Sequence, residues 1–117
     1  MAAATQIGRG ILLDVTSASG VQTSSIFQDI RGASKTVVCC HSTVASTALG
    51  SGTGLIIEVE DPTGETSTTF SEFTLSTQDV AANTVLKVII DGALGSRMRC
   101  KITPDSSADI KIWAWSV

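Results

Sequence analysis

The chain has 117 residues, enough for one hydrophobic core and too few for two. Hydrophobic residues make up 43% and charged residues only 16%, against about 25% charged in an average domain, so Ser, Thr and Gly must face water over much of the surface. The net charge of -3 argues against nucleic-acid binding through overall charge, which needs cations to displace counterions, and no apolar run approaches the roughly 18 residues of a membrane span.

The opening residues, MAAATQIGRGILLDV, lack the charged-then-apolar order of a secretory leader, so a protein soluble where it is made is expected. Residues 1–8 read as an extended arm, and residues 9–117 as a single domain. The first strand runs over 9–16, with Ile11, Leu13 and Val15 on one face by period-two alternation. A second strand over 23–30 is diluted by Ser24 and Ser25. The turn Arg31-Gly32-Ala33-Ser34 leads into a strong β-run over 35–42 that contains Val37, Val38, Cys39 and Cys40. Residues 43–53, rich in small side chains, read as a flexible loop around Gly50, Gly52 and Gly54.

The strand over 54–61 places Leu55, Ile57 and Val59 inward and Glu58 and Glu60 outward, and ends at the turn Asp61-Pro62-Thr63-Gly64. A return strand over 66–75 carries Phe70 and Phe73 at different parity, which implies a bulge between them or an exposed ring. The connection over 76–83 has room for one helical turn. Three strands, over 84–91, 96–103 and 109–116, complete the chain. Eight short strands with regular turns and no helical stripe define an all-β antiparallel sandwich, with the jelly roll favoured and an immunoglobulin-like arrangement second. The Cys-Trp-Cys order of immunoglobulin domains is missing, because both tryptophans follow Cys100.

The residues offer little for catalysis. Cys39 and His41 share a strand face, yet no helix N-terminus or cation stands nearby to activate the thiol. Cys39, Cys40 and Cys100 show no metal-ligand spacing and are expected as free buried thiols, with a Cys40–Cys100 bridge as the alternative. The Gly50-Ser51-Gly52-Thr53-Gly54 run lacks the lysine of a phosphate-binding loop and leads into a strand. Glu58, Glu60, Asp61 and Glu65 form an acidic stretch without the spacing of a calcium loop. No enzyme and no cofactor are expected.

Arg97, Arg99 and Lys101 alternate with Met98, Cys100 and Ile102, forming a row of cations on one face. In a jelly roll this strand lies beside that of Glu58 and Glu60, so cross-strand ion pairs are expected; contact with an acidic partner is the alternative. In the last strand Ile110 and Ile112 face one way and Trp113 and Trp115 the other. A two-layer sandwich covers only one of those faces, and Leu12, Ile56 and Ile89 repeat the two-sided pattern. The expected interface residues are therefore Ile7, Leu12, Arg97, Arg99, Lys101, Lys111, Trp113 and Trp115. Stacking of a sugar on Trp113 and Trp115, as in carbohydrate-binding modules, is a competing use of the same pair.

The Ala-rich start Met1-Ala2-Ala3-Ala4, the Ser/Thr/Gly-rich surface, the eight strands and the terminal Ile110-Lys111-Ile112-Trp113-Ala114-Trp115 strand together resemble small head decoration, or cement, proteins of tailed bacteriophages. The resemblance implies a structural virion protein that binds the major capsid protein or another virion protein. It also implies a homo-oligomer, trimer favoured, that joins the virion after synthesis in the host cytoplasm. A tail or neck protein would use the same interface chemistry.

Overall fold

Alternation of apolar and polar residues sets the strands, and the sheets they form bury the apolar positions of each. In the computed structural model, which describes residues 5–7, 9–28, 35–59, 73–91 and 97–116, ten strands follow in order. They are β1 (Thr5–Ile7), β2 (Arg9–Ala18), β3 (Gln22–Thr23), β4 (Ile26–Gln28), β5 (Lys35–Ser42), β6 (Gly54–Val59), β7 (Phe73–Gln78), β8 (Leu86–Asp91), β9 (Arg97–Thr103) and β10 (Ala108–Ser116). One sheet has the order β2-β10-β5-β8 and the other β1-β4-β9-β6-β7, with β3 also on β9.

With β3 and β4 taken as one interrupted strand, successive strands from β2 on alternate between sheets except for the β6–β7 pair, which stays in one sheet, and the resulting order is that of a jelly roll, as the strand pattern anticipates. Ser24 and Ser25 cause the interruption. The Ser24 N–H donates to the Cys100 carbonyl and the Cys100 N–H to Ser24 Oγ, both at 2.8 Å, so a side chain replaces one rung of the ladder. All pairings are antiparallel except that of β1, which adds to β4 in parallel. The arm expected over 1–8 thus contributes a strand at the sheet edge.

The core lies between the sheets. Phe27, Leu55, Ile57, Met98 and Ile102 come from one, and Val38, Cys40, Ile110, Ile112 and Ala114 from the other, each at most 2% exposed. At about 1.5–3 kcal/mol for each large apolar side chain, this layer supplies most of the driving force. Leu55, Ile57 and Val59 are inward as expected.

Two expectations change. The strand alternation of 9–16 is broken by a bulge: Ile112 pairs with Leu13 and Trp113 with Ile11, leaving Leu12 as the extra residue. Leu12, expected outward, is therefore buried at 3% exposure, while Ile11, expected to share a face with Leu13 and Val15, is 49% exposed. The return strand also bulges, at Leu75 between the Ile57–Ser76 and Glu58–Thr74 pairs, while Phe70 lies outside the described residues. Strand β7 runs on to Gln78, and no helical turn occurs among the described residues of 76–83.

The loop over 43–53 is pinned. The Asp105 carboxylate accepts from Thr47 N–H (3.1 Å), Thr47 Oγ1–H (3.2 Å) and Gly52 N–H (2.8 Å), and the Asp105 N–H donates to the Ala45 carbonyl at 2.9 Å. A Cβ on Gly50 or Gly52 would stand 2.5 Å from an Asp105 carboxylate oxygen. The glycines serve close approach here, not flexibility. Asp105→Ala leaves two N–H groups without their acceptor and is expected to cost about 2–3 kcal/mol in urea unfolding, with faster proteolytic nicking within 43–53.

Candidate functional site

The outward face of the β2-β10-β5-β8 sheet is where this fold leaves apolar residues without a second layer. Alternation in β10 sends Ala108, Ile110, Ile112 and Ala114 into the core, so Lys111, Trp113 and Trp115 point out. In β5 the inward set is Thr36, Val38, Cys40 and Ser42, which turns Val37, Cys39 and His41 to the same outer face. Register then builds rows across the strands. Trp115 lies opposite Val37, which lies opposite Ile89; Trp113 lies between Ile11 and Cys39; Lys111 lies between Asp14 and His41.

Exposure along these rows is uneven. Ile11 and Ile89 are 49% and 51% exposed at the flanks, whereas Val37 and Cys39, on the same outer face, are only 7% and 4% exposed. Trp113 and Trp115, themselves only partly exposed, stand directly opposite them in register. The result is an apolar strip across four strands, bordered at one end by Asp14, Lys111 and His41. A shallow pocket of about 210 Å³ sits at that polar end, lined by Asp14, Thr16, His41, Asp109 and Lys111 among others. Beside it the Ser17 N–H, at a positive φ of 50°, donates to Asp109 Oδ1 at 2.9 Å and closes a second bulge.

Three of the four cations expected at an interface lie on the opposite side of the molecule. Arg97, Arg99 and Lys101 occupy the outer face of the other sheet, and Arg99 Nε donates to Glu58 Oε1 at 3.1 Å across the β9–β6 register. Glu58 is only 5% exposed, so this is a largely desolvated ion pair, of the kind expected from the strand order. Glu60 lies outside the described residues. The eight expected interface residues therefore do not form one surface. Trp113, Trp115 and Lys111 share a face; Arg97, Arg99 and Lys101 share the opposite one; Leu12 is in the core; Ile7 is paired with Gln28 at a sheet edge. Ile11 and Val37 belong to the apolar strip without having been expected there, because the bulge at Leu12 and the cross-strand register are invisible to alternation within one strand.

All three cysteines are free and buried, with no disulfide between Cys40 and Cys100. Burial pushes the Cys40 and Cys100 thiols up to about 12 and also raises Cys39, where Lys87 offsets only part of the effect. A thiol held protonated is a poor nucleophile, and in β5 Cys39 stands about 7 Å along the strand from His41. In the folded state none of the three is expected to react with iodoacetamide at pH 8, and all three should react in denaturant. Because Cys40 and Cys100 are raised above the unfolded value of 9.0, they hold more protons folded than unfolded above that pH. Their stabilisation is complete below about pH 9 and is lost as pH climbs from 9 toward 12, so the urea midpoint should fall across that window. Among the described residues no three His, Cys, Asp or Glu side chains converge as for a metal ion.

No protein-family model, no curated protein and no solved structure matches the chain.

Proposed function

We propose that the protein is a structural assembly subunit without catalytic activity, and that its role is decoration of a bacteriophage head. The observation that carries the assembly reading is the apolar strip of Ile11, Trp113, Trp115 and Ile89 on the outside of a sandwich whose core is already complete. Half-exposed apolar flanks at Ile11 and Ile89, with two partly exposed tryptophans between them on a face that carries no second layer, support an interface. The head-decoration role rests on the resemblance to cement proteins, whose capsid partner would supply repeated sites and hence avidity. A Ser/Thr-rich, weakly charged surface suits contact with another protein more than contact with a polyanion.

Purified protein should co-sediment with empty phage heads and raise the temperature at which they open. Trp113→Ser and Trp115→Ser should each weaken head binding at least tenfold while leaving the β-sheet circular dichroism intact. Wild-type protein that stays in the supernatant at saturating head concentration would remove the decoration role.

A second reading, sugar binding, is favoured by the polar pocket beside Trp113, since Asp14, His41 and Lys111 there provide hydrogen-bonding groups next to a stacking ring. Its volume falls below the roughly 300–1,000 Å³ usual for ligand clefts, which ranks this reading second. Glycans that quench tryptophan fluorescence saturably would promote it.

A further inference from the structure

We infer that a buried water molecule bridges Thr36 Oγ1 and Ser116 Oγ at one end of the core, tying the start of β5 to the end of β10. The site is separate from the outer face and stands whether or not the assembly reading does. Alternation turns Thr36 inward from β5 with Val38, Cys40 and Ser42, and Ser116 inward from β10 with Ile110, Ile112 and Ala114. Register sets the two directly opposite each other, with Ile90 of β8 on the other side of Thr36. The next inward row is Ala114, Val38 and Val88, all buried and apolar. Both hydroxyl oxygens are closed off from solvent, and among the described residues neither meets a hydrogen-bond partner.

The other buried hydroxyls of the core are satisfied. Ser24 Oγ–H donates to the Ser25 carbonyl at 2.8 Å, Ser42 Oγ–H to the Val44 carbonyl at 2.6 Å, and Ser46 Oγ–H to the Thr103 carbonyl. Folding leaves few buried polar groups unpaired, because each forfeits its hydration and receives nothing in return. That the two exceptions among the described residues face each other across one register pair points to a single shared partner, not to two separate defects. Chemistry then names the partner. Each hydroxyl offers one donor and two acceptor lone pairs, and Ile90, Val38 and Ala114 around the pair carry no charge, so the site suits a small neutral molecule that both donates and accepts. Size agrees with water. Directly opposed Cβ atoms stand about 4.5–5.5 Å apart, and two O–H···O bonds of about 2.8 Å that meet at one tetrahedral oxygen span about 4.5 Å.

The sign of a mutational effect tests the site. Thr36→Val keeps the shape of the side chain and removes the hydroxyl. If that hydroxyl holds a water, the variant should lower the folding equilibrium constant about two- to tenfold in urea unfolding of the full chain, and Ser116→Ala should do the same. The double variant should lose less than the product of the two, because a water deprived of one anchor contributes little through the other. Thr36→Ser retains the hydroxyl and should keep its coupling to Ser116→Ala. A high-resolution crystal structure of the unaltered protein, which depends on no variant, should place a water oxygen within about 3 Å of both hydroxyl oxygens. Three results would each overturn the inference. They are a Thr36→Val variant as stable as wild type or more so, which is what removal of an unbonded hydroxyl gives; independent losses in the double variant; and crystal density in which the two hydroxyls bond each other directly with no water between them.

Discussion

Gly54→Ala should take up a large part of the stability of the fold, far more than an ordinary glycine substitution. Gly54 opens β6 at a φ of +74°, in the left-handed region where a side chain costs about 1–2 kcal/mol. A Cβ there would also collide with the Gln78 carbonyl oxygen, a backbone atom of the neighbouring β7 that cannot swing aside. The Gly54 N–H is committed as well, donating to Ser46 Oγ at 2.9 Å, and Ser46 Oγ–H in turn donates to the Thr103 carbonyl. Together these place the expected loss at about 4 kcal/mol or more, against a total stability of roughly 5–15 kcal/mol for a domain of this kind. Gly20 provides the control. Its φ of +76° is nearly the same but no atom lies within 4 Å of an added Cβ, so Gly20→Ala should cost only about 1–2 kcal/mol. Equal losses in the two variants, measured by urea unfolding, would show that crowding at Gly54 is unimportant.

Arg99→Met is the second large effect. It removes the guanidinium from beside a carboxylate that is 5% exposed, leaving the Glu58 charge with little water to solvate it. Breaking a buried pair from one side costs about 3–5 kcal/mol, and the partial exposure of Arg99 at 27% puts the expected value nearer 2–3 kcal/mol. The double variant Arg99→Met with Glu58→Leu should recover to within about 1 kcal/mol of wild type, because the desolvation cost then disappears together with the attraction. If the double variant is as unstable as the single one, packing of the Arg99 stem, and not charge, is what the site requires.

The pair bears on how far the sequence could be read. Arg97, Arg99 and Lys101 are visible as one face by alternation, but only strand order makes Glu58 the neighbour of Arg99. Trp113 and Trp115 were legible as outward because Ile110 and Ile112 had to be inward. Leu12 escapes the two-residue period for the same physical reason that the period is reliable elsewhere: one inserted residue inverts every face assignment on one side of it, and the bulge that inserts it arises from pairing with β10. The pinning of the loop over 43–53 has no local signature, because Asp105, which its glycines approach, is more than 50 residues away in the chain.

Local chemistry alone therefore determined the strand class, most strand positions and the inward set of β6, β9 and β10. These follow from side-chain period and residue type, which are properties of short segments. The tertiary structure decided which strands adjoin, where bulges reverse a face, why three glycines surround a pinned loop, and that the tryptophans and the cations look out from opposite sides of the sandwich. Those depend on contacts between residues distant in the chain, whose pairing is chosen by the closure of the whole core and not by any segment within it.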